Sequence, residues 1–273
     1  MAMQRSQSTA HSLRSLRQFA GSVLLLVLGA THAPLRSIAA TPEVMDEKLD
    51  RIFVLTAIDQ TGAPIIITPA NNSSAPKIYA AVSTTGLSEV REAIRASTDP
   101  SAEGKLRLTP TTLNYFLQRW KSYRAQLPSL AARIIPDSTE RDAAIRLLQQ
   151  QGLSSKEAAE EIGSDVPVFC PVPAIYAEDK GTTVHRRSSG KKFIPCSFSA
   201  STLLAILKER ADQQSITVVA VPLWKMINAL KKESDAAVST IEVLAHPTLL
   251  TGIESAKHNK HFVQGVLAGS QAP

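Results

Sequence analysis

Two stretches of this sequence run through the same order of short apolar segments, turns and helix patterns. That repetition limits the fold more than any single motif does. In the first stretch RIFVLTAI (51–58) leads through a turn at Gln60-Thr61-Gly62 into PIIIT (64–68). The polar break NNSSAP precedes KIYAAVS (77–83) and a helix pattern, GLSEVREAIRAS (86–97), with Leu87, Val90 and Ile94 on one face. In the second stretch VPVFCPV (166–172) is followed by AIYA (174–177), the turn EDKG and TTVHRR (182–187). The break SSGK, the run KFIPCSFS (192–199) and the helix pattern ASTLLAILKERADQQ come next. Ile52 and Lys77 are as far apart as Pro167 and Lys192.

Each half continues with a strand that runs directly into a helix, LAARIIPDSTERDAAIRLLQQQ (130–151) and SITVVAVPLWKMINALKKES (215–234). Ile134 and Ile135 match Val218 and Val219, and Pro136 and Pro222 follow where the first turn of a helix tolerates proline. The expected fold class is therefore α/β (α+β), with two pseudo-symmetric lobes from an internal duplication of a β-β-β-α-β-α unit and small mixed sheets. Repeat one is expected over 49–151 with a helical insert at 98–128, repeat two over 165–234, and a C-terminal extension over 235–273.

The insert holds a helix pattern, LTPTTLNYFLQRWKSYRAQLP (108–128), with Thr109 as N-cap and Pro110 at the first helical position. Leu113, Phe116, Leu117, Trp120 and Leu127 share a stripe, Tyr115 and Tyr123 lie beside it, and Lys121 and Arg124 lie away from it. Such a stripe either faces the core or forms an aromatic docking face. Phe116, Trp120, Tyr123 and Trp224 are the candidate partner-binding residues on the second reading.

Residues 1–42 contain no acid but carry Arg5, Arg14, Arg17 and Arg36 among many serines. The apolar run from Phe19 to Ala30 has 12 residues, too few for the ~20 that cross a bilayer. Small residues allow cleavage after Ala33, Ala39 or Ala40. Residues 1–40 read as a removable leader, secretory or organellar, and residues 41–273 as the working domain. Of the 30 Lys and Arg the leader holds 4, leaving 26 against 24 Asp and Glu, so +6 becomes +2. That balance offers nothing for nucleic-acid binding, which needs a basic patch on the folded domain.

Cys170 and Cys196 are the two cysteines. In an exported chain they can bridge or stay free, and neither sits in a thiolate-activating motif. No dinucleotide or phosphate-binding glycine loop and no nucleophile elbow occurs, so no catalytic residue and no cofactor is expected. His185, His246, His258 and His261 have no ligand-spaced partners, so no metal site is expected. The run His185-Arg186-Arg187 with Lys191-Lys192 reads as a solvated hairpin tip or a docking site for an acidic partner or lipid headgroup. Glu157, Glu160 and Glu161 read as a solvated helix face.

Four segments, KLDRIFVLT (48–56), DVPVFCPVPAIY (165–176), KKFIPCSFSASTLLAIL (191–207) and SITVVAVPLWKMINAL (215–230), together resemble the Tic22 family. That family comprises the twenty-two-kilodalton component of the chloroplast inner-envelope translocon and its cyanobacterial relatives. The resemblance implies a two-lobed protein of membrane-peripheral character with apolar client-binding grooves and no catalytic residues. It implies a chaperone or transport role for unfolded or precursor polypeptides, near an outer-membrane translocation or assembly pore. The compartment would be the periplasm or thylakoid lumen of a cyanobacterium, or the plastid intermembrane space. The alternatives are a structural subunit of a membrane-associated complex and an extracytoplasmic enzyme of unrecognised type. The Tyr/Trp-containing insert and the NNSSAP loop depart from the family pattern.

Overall fold

A computed structural model describes residues 39–70, 74–178, 192–209 and 215–251. The leader, the tip carrying His185, Arg186, Arg187 and Lys191, and His258 and His261 lie outside the described residues. The chain enters the fold at Thr41, the N-cap of helix α1 (Pro42–Leu49), whose hydroxyl accepts from the Val44 N–H.

Sheet one contains β1 (Phe53–Ile58), β2 (Lys77–Ala81), β3 (Arg107–Thr112) and β4 (Ala131–Ile135), in the order β3-β1-β2-β4. β1 is antiparallel to both neighbours and β4 is parallel to β2. Sheet two contains β5 (Pro167–Val172), the two-residue β6 (Ala177–Glu178), β7 (Lys192–Ser197), β8 (Thr217–Pro222) and β9 (Ile241–Leu244). β8, β5, β7 and β9 lie side by side, with β5 antiparallel to β7 and β8 and β9 parallel to β7. The fold class is thus mixed α/β with two small mixed sheets, and the two share strand order and sense.

The correspondence between the sheets differs from the expected one. β8 occupies the place of β3 rather than that of β4, and β9 occupies the place of β4. Residues 98–128 therefore form no insert, because they supply an integral strand and helix of sheet one. Residues 235–244 likewise form part of sheet two rather than an extension: helix α8 (Asp235–Thr240) leads into β9. PIIIT and the proline after it make isolated bridges, Ile58 to Pro64, Ile67 to Lys77 and Pro69 to Ser97, instead of a full strand.

The Thr109-Pro110 signal misplaces a helix start. Those residues lie in β3, an edge strand where the missing proline N–H costs no ladder bond on the outer side. Helix α3 (Leu113–Gln126) begins one turn later, with Thr112 accepting from the Tyr115 N–H at 3.1 Å. Pro136 precedes the Asp137 N-cap of α4 (Ser138–Gln150), and Pro222 ends β8 as the N-cap of α7 (Leu223–Leu230).

Alternation along the strands sorts side chains into a central core and two outer ones. Val54, Ile78 and Ala80 of sheet one meet Val168, Cys170, Ile194, Cys196, Ile241 and Val243 of sheet two in the centre. Phe116 of α3, Met226 of α7 and Met45 of α1 fill that layer. Full burial of a side chain such as Phe116 contributes about 2–3 kcal/mol.

The outer layers are exchanged between the halves. Ala144 and Leu148 of α4, which follows β4, pack on the outer face of sheet two with Phe169 and Ala220. Helices α5 (Ser155–Ile162) and α6 (Ala200–Lys208) complete that layer. Leu249, which follows β9, returns to the outer face of sheet one beside Leu55, Tyr79 and the helix α2 (Leu87–Arg95). This exchange makes the halves interdependent.

Candidate functional site

The turn after β1 sets up a groove. Asp59 Oδ1 accepts from the N–H and hydroxyl of Thr61 and from the Ala63 N–H, at 2.8, 2.7 and 3.0 Å. The Thr61 hydroxyl leads the contacts that hold this carboxylate below its ordinary range. Gly62 takes φ 87°, a left-handed conformation that glycine adopts without a Cβ penalty. The chain then doubles back in an extended conformation, and its side chains alternate. Ile65 and Ile67 are buried, while Ile66 between them is 38 % exposed.

Ile66 faces a groove of about 280 Å³ lined by residues 64–68, Ile94 of α2, Ser97 to Asp99, Ala102 and Lys105. The wall opposite the isoleucines is a 3₁₀ segment, Pro100–Lys105, tied to α2 by Arg95, whose Nε and Nη2 donate to Glu103 at 2.7 and 2.6 Å. The groove therefore has isoleucines along one wall and polar groups of Ser97, Thr98, Asp99 and Lys105 around the rest, so it offers both apolar contact and hydrogen-bonding partners. Nothing in the PIIIT pattern separates its outward isoleucine from its buried ones; only the turn at Gly62 and the bridges set which one faces out.

A second cluster lies where the exchanged segments cross. Asp137 caps α4, accepting from Thr139 N and Glu140 N at 2.9 and 3.2 Å, and its Oδ2 accepts from the Thr85 hydroxyl at 2.6 Å. Glu140 Oε2 accepts from Ala200 N, at the start of α6, at 2.9 Å. His246 Nε2 lies 3.9 Å from Asp137 Oδ2 and 3.7 Å from Glu140 Oε1. The Thr248 N–H donates to His246 Nδ1 at 3.3 Å, which leaves the Nε2 proton toward the carboxylates. All three side chains are buried. The sequence could not pair these groups, because they stand on α4 and beyond β9.

Burial pushes both carboxyls up, but donors outweigh it. For Asp137 these are the hydroxyls of Thr85 and Ser83, and for Glu140 they are His246 and the Ala200 N–H, so both settle below their usual values. Neither is poised to give up a proton near neutrality, so the cluster ties the crossing segments together rather than acting as a general acid. A carboxyl lowered in the fold stabilises it above the unfolded value of about 4, and that contribution is lost as pH falls through the folded value. We expect the protein to lose stability on acidification below about pH 4, and Glu140→Gln to flatten that loss while lowering stability at neutral pH. Thermal melts across the acid range measure both. Asp165 works the other way, because burial raises it above its usual value; its contribution is fullest in acid and falls as pH rises through that raised value.

The expected partner-binding residues lie elsewhere. Phe116 is fully buried, and Trp120, Tyr123 and Trp224 are half-buried against the same central core. Trp120 Nε1 donates to the Leu130 carbonyl at 2.9 Å. The α3 stripe packs against the central core, with Phe116 inside it and Trp120 and Tyr123 part-exposed at its edge. Cys170 and Cys196 are bonded to each other and fully buried. Of the expected acidic face, Glu157 completes the capping box of α5, Glu160 lies 3.8 Å from Lys156, and Glu161 accepts from Lys225 at 2.7 Å. Among the described residues no group of three or more His, Cys, Asp or Glu could hold a metal, and no helix is long and apolar enough to cross a membrane.

Two small, topologically alike mixed sheets facing one core, with exchanged outer helices, define the α/β architecture of this chain. The fold is Tic22-like. Anabaena Tic22, described as a protein-transport protein, superposes with a TM-score of 0.60 at 15 % identity, covering 79 % of this chain and 97 % of that one. Tic22 from Plasmodium falciparum superposes with a TM-score of 0.56 at 13 % identity, covering 79 % and 98 %. No protein-family model and no curated protein matches the sequence.

Proposed function

We propose that this protein is a non-enzymatic transport factor that holds unfolded or precursor polypeptides in an extracytoplasmic compartment. The observation that carries the reading is the groove at Ile66, an accessible slot with isoleucines on one wall, on a fold like that of a protein described as protein transport. Apolar side chains of an unfolded client lose water on entering it, which favours binding without sequence specificity. The leader pattern of residues 1–40 and the disulfide support export to a periplasm or thylakoid lumen, or to a plastid intermembrane space. A translocation or assembly pore in the adjoining membrane is the partner this role calls for.

The test is aggregation suppression. An unfolded outer-membrane β-barrel precursor is diluted into buffer with the protein, and light scattering is followed. The protein is expected to suppress scattering near equimolar amounts. Ile66→Asp is expected to raise the amount needed about tenfold, since one apolar contact of that size is worth about 1.5–3 kcal/mol. Its thermal melt is expected to stay within about 0.5 kcal/mol of the parent, because Ile66 is exposed. Equal suppression by both proteins, or none by either, overturns the reading.

A further inference from the structure

With the aromatic residues of α3 turned inward, the outward side of that helix is cationic. Arg119, Lys121 and Arg124 are all exposed, and its 14 residues include no acid. Four cations on other elements pair with carboxylates: Arg51 with Glu47, Arg95 with Glu103, Arg133 with Glu89 and Lys225 with Glu161. The α3 arginines sit on aromatic rings instead. Arg119 lies 5.2 Å from the centre of the Tyr115 ring and donates to its hydroxyl at 3.0 Å. Arg124 lies 5.2 Å from the Trp120 ring and donates to the Pro128 carbonyl at 3.3 Å. Ring and hydroxyl hold the Arg119 guanidinium, and ring and carbonyl that of Arg124, without cancelling either charge.

We propose that α3 is a docking surface for an acidic polypeptide segment, separate from the Ile66 groove. Guanidinium forks match carboxylates in a bidentate way, and holding them in place before contact lowers the entropy cost of docking. Charge complementarity names the partner chemistry, and the lack of exposed apolar side chains favours protein over lipid. Among the described residues the large exposed hydrophobics, Ile66, Tyr176 and Leu204, all lie on other elements, and on α3 the Tyr115 and Trp120 rings are covered by Arg119 and Arg124.

The test uses the full chain and a fluorescein-labelled oligo-glutamate peptide, read by anisotropy at low and raised salt. The peptide is expected to bind, and to bind less as salt rises. Arg119→Gln with Lys121→Gln and Arg124→Gln is expected to weaken binding about tenfold. Arg146→Gln with Lys208→Gln and Lys231→Gln makes the same change in net charge elsewhere and is expected to leave binding intact. Arg119→Lys with Arg124→Lys keeps the charge but loses the forks, and is expected to bind with intermediate strength. No binding by the parent protein overturns the proposal, as does equal weakening in both triple variants. Selective capture by phosphatidylglycerol vesicles with no peptide binding also overturns it and makes α3 a lipid-facing surface. None of these readouts depends on Ile66, so they stand or fall apart from the groove.

Discussion

Replacing Lys48 by alanine is expected to cost the protein about 3–5 kcal/mol of stability, among the largest effects available from a single side chain. Lys48 is a lysine on the inward face of α1, and only 3 % of it is exposed. Its ammonium donates to the Ile241 carbonyl and lies 3.5 Å from Glu242 Oε2, which is also buried. The pair joins α1, the first helix among the described residues, to β9 at the far side of sheet two. Removing the lysine takes the ammonium from beside a buried carboxylate, and that penalty exceeds what the pair itself contributes. The double change Lys48→Met with Glu242→Leu is therefore expected to recover most of the loss. Urea unfolding measures both, through midpoints at an unchanged slope. A loss below about 1 kcal/mol in Lys48→Ala would mean that water reaches Glu242 when the lysine is gone.

Loss of the disulfide is expected to cost about 3.5 kcal/mol, from closure of a loop with a sequence separation of 26. In a domain of this size that corresponds to roughly 10 °C in the melting temperature. The sequence itself explains why a covalent link belongs here. β5 and β7 are registered through Phe169 and Ser197, so one step on Cys170 faces Cys196, and the next step sets Pro171 against Pro195. Neither proline can donate to the ladder, so hydrogen bonding between the central strands is cut short there. The two cysteines, 4.4 Å apart at Cα, hold the strands where the ladder cannot. Cys170→Ala with Cys196→Ala is the variant, and calorimetry with and without reductant is the measurement. Reductant is expected to lower the parent's transition to that of the variant and leave the variant unchanged.

Much of this fold was readable because its signals are local. The runs at 51–58, 77–83, 166–172 and 192–199 all contain strands, and the helix patterns after Gly86 and Ser199 hold. What failed was a matter of partners. Thr109-Pro110 has the local chemistry of a helix start, but the edge of sheet one accepts that proline, and pairing with β1 decides the outcome. The correspondence of the halves was shifted because 130–135 and 215–222 look alike as strands entering helices, whereas only pairing shows that one is parallel and the other antiparallel. The candidate site was less legible still. An aromatic stripe reads the same whether it faces core or solvent, and at Phe116 and Trp120 it faces core. The accessible isoleucine stands between two buried ones, and Asp137, Glu140 and His246 meet only because the segments after β4 and β9 cross.

The central claim is that the Ile66 groove receives client chain, and site-directed photocrosslinking tests it most directly. A photoreactive phenylalanine is placed at position 66 in one protein and at exposed Arg146 on α4 in another. Each is irradiated with an unfolded outer-membrane β-barrel precursor and with the same precursor after folding. The groove predicts an adduct at position 66 with the unfolded precursor alone, and none at position 146. Equal adducts at both positions, or none at position 66 while the protein still suppresses aggregation, would place client binding elsewhere and contradict it.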